Sequence, residues 1–435
     1  MNGRREPWSQ CALSRIRLWL VACVACLAVI GIPARSARAE VKLPGLFGDH
    51  MVLQCQRTVP VWGKAAAGET VSVTLGPQTK TATADAAGRW KVVLDPLAAG
   101  GPHELGVRGR NTITLRDVLV GEVWLAGGQS NMEWPLKGTL DAEAAIAAAS
   151  RPTMRLFVVP KASAGEPQDD CAGQWTVCSP ETAAEFSGVA YYFGRELDDS
   201  LHVPVGLIQS AWSGAAVESL LPAEVLRAHP KFSAKLPAWE AYRKEYPALL
   251  ADFEKKAAQW EREAKRAKAE GRPMPNNPAR RPKDPDGPER SLGRLYNGMI
   301  HPLVPYALRG VIFYQGENNL PNPEEYRELF PMLIRDWRRR WGLGDFPFLF
   351  VQIANLGAAQ PAPSDGPWCR IRDAQLPGLA EKQTAMVVTI DVGEAGNIHP
   401  KNKREVGRRL ALCARALAYG QKDIEPMGPM FTGAE

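Results

Sequence analysis

Ser130 lies in Gly127-Gly128-Gln129-Ser130-Asn131-Met132-Glu133-Trp134, directly behind a Gly-Gly turn. Small residues there let a substrate come close to the backbone. A serine hydroxyl becomes a nucleophile at neutral pH only with a base beside it, and histidine is the usual one. Of six histidines, His50 and His103 lie in a β-rich stretch, His202 and His229 in polar connections, and His301 ahead of an apolar strand. His399, in Gly396-Asn397-Ile398-His399-Pro400, follows a late strand end and is the candidate base, with His301 kept as a pocket-wall residue. An orienting carboxylate is also needed, and spacing leaves both Glu317 and Asp391 open. Ser130 is equally suited to cap a helix, a role compatible with nucleophilic attack because N–H groups at a helix start favour an oxyanion. The surroundings are not the G-x-S-x-G elbow, since Met132 stands where its second glycine would be, which argues against the α/β-hydrolase fold.

These residues converge only if strands deliver them to one edge. From about residue 116, apolar runs at Val118–Ala126, Met154–Val159, Val205–Ser210, Gly310–Tyr314, Phe348–Ile353 and Met386–Asp391 alternate with helical stretches such as Glu324–Trp341 and Lys403–Tyr419. Near-continuous apolar strands imply a parallel sheet covered on both faces, hence a three-layer α/β/α domain over 116–435. Ligands of such sheets bind beyond the carboxyl ends of the strands. The residues in those places are Ser130, then Trp212-Ser213-Gly214, then Gln315-Gly316-Glu317-Asn318-Asn319, then Asp391 and His399. That set of serine, glycine N–H groups, amides, carboxylates and histidine is the equipment of a serine hydrolase.

Residues 40–115 follow another pattern. Thr58–Gly63, Thr70–Leu75 and Arg89–Leu94 are short, β-branched or alternating, and punctuated by glycine, which predicts a small antiparallel β-sandwich. Residues 229–291 interrupt the α/β pattern. Leu250, Phe253, Ala257, Trp260 and Ala264 recur at helical steps among Lys and Glu, and six prolines follow from Pro273 to Pro288. This reads as a helical insertion with an extended arm, a solvated excursion in preference to a lid or oligomer contact.

The net charge of +6 does not point to nucleic acid. Six arginines and one glutamate fall within residues 1–39, where basic residues precede the uncharged run Leu18–Ile32 and Ala37-Arg38-Ala39 offers a cleavage site before Glu40. That is the pattern of an export signal, and the run is short of the ~20 residues a spanning helix needs. A further excess of cations, 15 Lys and Arg against 10 Asp and Glu, sits in the insertion, so the remaining chain is acidic. An exported, periplasmic or extracellular protein with no later membrane span is expected. Cys171 and Cys178 flank Trp175, with a disulfide and two free thiols equally open. Among the five cysteines after the signal, no pair has zinc-site spacing.

The block Gly121–Trp134 resembles the nucleophile block of sialate O-acetylesterases, a branch of the SGNH hydrolase superfamily. Leu43-Pro44 with Asp49–Gln54, Trp212-Ser213-Gly214, Tyr314–Asn318 and Ile398–Lys403 with Gly407–Leu410 resemble the family's opening, second, third and histidine blocks. The resemblance covers nearly all of the chain after the signal. It implies a flavodoxin-like parallel sheet, Ser130 as nucleophile, His399 as base, and an oxyanion hole of Ser130 N–H, Gly214 N–H and the Gln315 side chain. Gln129, Asn131 and Asn318 would shape the pocket. Glu317 would support the histidine, with Asp391 as the alternative acid; the position three before the histidine, where related hydrolases carry the acid, is Gly396. Ser213 replaces the first glycine of the second block, and the family continues past the point matching Glu435. The implied substrate is an O-acetylated carbohydrate, sialic acid above all, with acetyl-xylan or another glycan as the alternative. Neither metal nor organic cofactor is implied. The competing class is an inactive carbohydrate-binding protein, against which the intact Ser130 and His399 argue.

Overall fold

Alternating polarity draws the first strands of the computed structural model, which describes residues 40–277, 280–289 and 291–429; the export signal expected in residues 1–39 lies outside them. These strands are β1 (Val52–Gln54), β2 (Val59–Lys64), β3 (Thr70–Leu75), β4 (Gln78–Thr83), β5 (Arg89–Leu94) and β6 (Gly100–Arg108). In β5, Trp90, Val92 and Leu94 are buried while Arg89, Lys91 and Val93 face solvent, the two-residue period of a half-buried strand. β3 pairs antiparallel with β4 and β6, and β2 and β5 form a separate antiparallel ladder.

The next strand, β7, runs unbroken for 17 residues from Thr112 to Gly128. It begins antiparallel to β6, takes β1 as a parallel partner at Leu119–Gly121, pairs with β10 in parallel from Glu122, and has β11 as a second parallel neighbour over Trp124–Gly128. Residues 115 and 116, where the sequence pattern changes, therefore lie inside one strand. At the seam, Glu122 is buried and fully engaged. Arg309 grips it with two bonds of 2.6 and 2.8 Å, and Gln54, Cys55 and Tyr419 add three more. A buried carboxylate is tolerated when its lone pairs are filled in this way.

The remaining strands are β8 (Arg151–Val158), β9 (Trp175–Cys178), β10 (Val205–Ala211), β11 (Gly310–Tyr314), β12 (Phe348–Val351) and β13 (Thr384–Val387). Their order is β13-β12-β11-β7-β10-β8-β9, parallel except for β9. The six parallel strands run 2-3-1-4-5-6 in chain order, with β9 antiparallel at one edge. The switch point is β7, so the crevice opens at Gly128. Helices cover both faces. Trp124 meets Phe193 of the helix Gly188–Leu201 at 5.1 Å. Gly127, of opposite parity, faces Phe313 and Trp337, the latter on the helix Pro323–Trp341.

The insertion helix spans Leu236–Ala269, beginning well before the apolar stripe and passing through Pro247. Its proline-rich return is pinned against it: Trp239 and Trp260 donate their indole N–H groups to Pro285 and Pro275 carbonyls, and Arg243 pairs with Asp286. Cys171 and Cys178 are separate buried thiols, as are Cys55 and Cys413. Among the described residues no helix is long and apolar enough to cross a membrane.

Candidate active site

Three strand ends, of β7, β10 and β11, meet at the switch point. β7 ends at Gly128, whose φ of +141° suits glycine, and a Cβ there would stand 2.1 Å from the Tyr314 carbonyl oxygen of β11. Gln129 N–H donates to that same oxygen at 3.0 Å, and Ser130 then opens the short helix Ser130–Glu133, half-exposed at the crevice. The β10 loop closes against it: Trp212 N–H bonds Gly128 O at 3.2 Å, and Ser213 N–H bonds the Glu133 carboxylate at 2.6 Å. Gly214 follows at φ +78°, its N–H without a protein acceptor among the described residues.

His399 also reaches this edge. Its imidazole stacks on Trp134, four residues after Ser130, with ring centroids 4.8 Å apart and planes 22° from parallel. The loop carrying it is held by Asn397, which accepts from His399 N–H at 3.0 Å and donates to its carbonyl at 2.8 Å. Glu394 braces that loop through Asn397 and Lys401 N–H. Burial and the nearby Lys403 ammonium hold the imidazole pKa below its usual value, so the ring is neutral at pH 7.

Neither candidate acid bonds the histidine ring. Asp391 stands on the surface, four residues past β13, with both oxygens held by Arg409 at 2.7 and 2.6 Å. Arg409 keeps its carboxyl below the ordinary aspartate range. Glu317 is buried beneath the site, where Oε1 accepts from Asn131 Nδ2 at 2.6 Å and Oε2 has no partner. Burial raises its pKa. Asn131 also donates to Ile398 O at 3.0 Å, tying the nucleophile helix to the histidine loop, and its Oδ1 accepts from Lys403 Nζ. Lys403 is 1% exposed, lies over the Tyr314 ring at 5.3 Å, and is pushed by burial down to about 7.

The remaining expected residues have internal duties. Gln315 spends both amide hydrogens on Ala215 O and Asn319 Oδ1, at 3.1 and 2.7 Å, leaving neither for an oxyanion. Gln129 Oε1 accepts from Gly316 and Asn318 N–H, clamping the third block to the first. Gln129 and Asn131 are thus buried struts, and only Asn318 of the three expected pocket residues is half-exposed. His301 is remote in role, bonding Gln168 O at 2.9 Å. Sequence reasoning assigned no part to Trp134 or Lys403. For Lys403 a signal existed: it opens the helix Lys403–Leu417, and a cation is disfavoured at that end of a helix unless something else holds it.

Comparison with known proteins identifies the family. The sequence profile described as carbohydrate esterase, sialic acid-specific acetylesterase matches residues 288–415. The mouse sialate O-acetylesterase is 32% identical, the match covering 93% of this chain and 78% of that protein; the human protein is 31% identical, covering 91% and 74%. The crystal structure of a carbohydrate acetylesterase from Xanthomonas citri superposes with a TM-score of 0.72 at 38% identity, covering 88% of this chain and 76% of that one. With identity at this level along most of both chains, the protein belongs to the sialate O-acetylesterase family of carboxylic ester hydrolases.

Proposed function

We propose that the protein is an exported serine esterase that removes O-acetyl groups from sugars, with O-acetylated sialic acid as the first substrate to consider. The observation that supports this is the stacking of His399 on Trp134, which ends the short helix that Ser130 opens behind β7. Ser130 Oγ attacks the acetyl carbonyl while His399 takes its proton. The Ser130 and Gly214 N–H groups receive the oxyanion, each donor of this kind being worth ~3 kcal/mol. The sugar hydroxyl leaves with the proton from His399. Water then cleaves the acetyl-serine through the same base. Glu317 acts at one remove, through Asn131, on the placement of the histidine loop. Asp391 serves the surface through Arg409.

The test is acetate release by residues 40–435 from O-acetylated sialic acid, acetyl-xylan and 4-nitrophenyl acetate, beside Ser130→Ala. Release that vanishes in the variant supports the mechanism. A folded wild type inert on all three would sink it in favour of a binding protein. Preference for acetyl-xylan would move the substrate to the other glycan class.

A further inference from the structure

The insertion 229–291 does not simply project into solvent. Its return segment comes back onto the catalytic edge: Pro288 O accepts from Ala216 N–H at 3.1 Å, and Glu289 O accepts from Asn318 Nδ2 at 3.4 Å. The Glu289 side chain lies against Gly214, 3.1 Å from where a Cβ would stand. Between the insertion and the loops after β10 and β11 is a cavity of about 430 Å³. Trp239, Tyr242 and Phe232 give it aromatic surface, and Asn318 and Glu218 give it polar groups.

The lining has a specific chemical bias. Lys235 and Lys283 are each already paired, with Glu325 and Glu289. Glu218 uses one oxygen, Oε2, to accept from Asn319 at 2.8 Å, and its Oε1 receives no hydrogen bond from the described residues. A carboxyl group beside an indole and a phenol suits a polyhydroxylated ring, whose C–H face stacks on aromatics while its hydroxyls bond the carboxyl. We propose that this cavity is a subsite for the saccharide unit next to the acetylated sugar, so that the insertion selects acetyl esters carried on oligosaccharides over those on single sugars. The proposal rests on the esterase assignment for catalysis, but the binding it describes is measurable without it.

The experiment has two arms. In the first, acetate release is measured on acetylated xylo-oligosaccharides, O-acetylated sialyllactose and 4-nitrophenyl acetate for the wild type, Trp239→Ala, Trp239→Phe and Glu218→Gln. Trp239→Ala and Glu218→Gln should raise KM about tenfold on at least one oligosaccharide and far less on the nitrophenyl ester. Trp239→Phe keeps an aromatic face but loses the indole bond to Pro285, so it should retain most of the oligosaccharide KM and separates stacking from anchoring. In the second arm, Ser130→Ala is titrated calorimetrically with the same oligosaccharides after deacetylation. Heat that disappears on adding Trp239→Ala supports the subsite. Equal kinetic losses on all substrates, or no binding of either oligosaccharide, would overturn it. Trp239-dependent binding without any acetate release would uphold the subsite and defeat the esterase assignment instead.

Discussion

Lys403→Met removes the buried ammonium beneath the site and keeps most of the side chain's volume. Glu317 then retains one bond from Asn131 and an unpartnered Oε2, with no cation to compensate it. Breaking a directly bonded buried pair from one side costs about 3–5 kcal/mol, and here the two charges are joined only through Asn131. The carboxyl has an escape: it can take up a proton. For a glutamate of ordinary pKa near 4.3 at pH 7, this costs about 2.7 × 1.36, or ~3.7 kcal/mol, which bounds the loss from above. Because burial pushes Lys403 down to about 7, it is only about half charged at pH 7 and Met relieves its desolvation, so the expected destabilisation lies well below that bound, at about 1 kcal/mol. Its sign with pH follows from a raised folded pKa: a protonated Glu317 keeps its contribution at low pH and loses it as pH rises, so the deficit shrinks toward pH 5. Adding Glu317→Gln removes the stranded charge and should recover most of the loss. The same substitution takes a positive charge away from His399, so the acid limb of kcat/KM should move to higher pH. Urea denaturation of the two single variants and the double variant, with pH–rate profiles, measures both effects. A Lys403→Met protein within about 0.5 kcal/mol of wild type and with an unmoved acid limb would refute the coupling.

Other outcomes follow from the same geometry. Ser130→Ala should lower kcat by at least ~10³ with an unchanged thermal midpoint, checked by acetate release and calorimetry. Asp391→Asn should leave kcat/KM within about threefold of wild type and cost under ~1 kcal/mol, since its partner Arg409 and the pair itself are at the surface; a thousandfold loss would make Asp391 the acid after all. Gly214→Ala places a Cβ at φ +78° and 3.1 Å from Glu289 Cγ, and should cut kcat about tenfold or more with little change in KM. Because the His399 pKa lies below 6.5, wild-type kcat/KM should stay flat through neutrality and fall only on the acid side of that value.

Much of the fold was legible because burial on both sheet faces writes itself as unbroken apolar runs. β11 was read residue for residue, and Phe348 and Lys403 were correctly placed as element starts. The last strand was misplaced: it spans Thr384–Val387, and Val388–Asp391 continue the apolar run as loop, so Asp391 does not stand at a strand end. The insertion was the weakest reading. Its helix faces are charged, as a solvated excursion would be, while its contact with the site runs through the backbone of Pro288 and Glu289, which leaves no mark in side-chain pattern. Within the proposed site, Ser130 was singled out by residue type and its place just past β7, and His399 by residue type in the loop that follows β13. Gln129, Asn131 and Gln315 were recognisable as important polar residues, but whether a polar side chain faces ligand or neighbouring backbone depends on a few degrees of rotamer, which sequence does not encode.

The continuity of β7 has a consequence for how the chain folds. A single strand that is antiparallel at one end and central to a parallel sheet at the other cannot be half formed without leaving backbone donors bare in both regions. Its partners are far apart along the chain, from Val52 to Tyr314, so its ordering waits on long-range closures that slow folding. The β-rich region and the hydrolase core should consequently melt in one transition, and the amides of Leu119–Ala126 should exchange only through global opening.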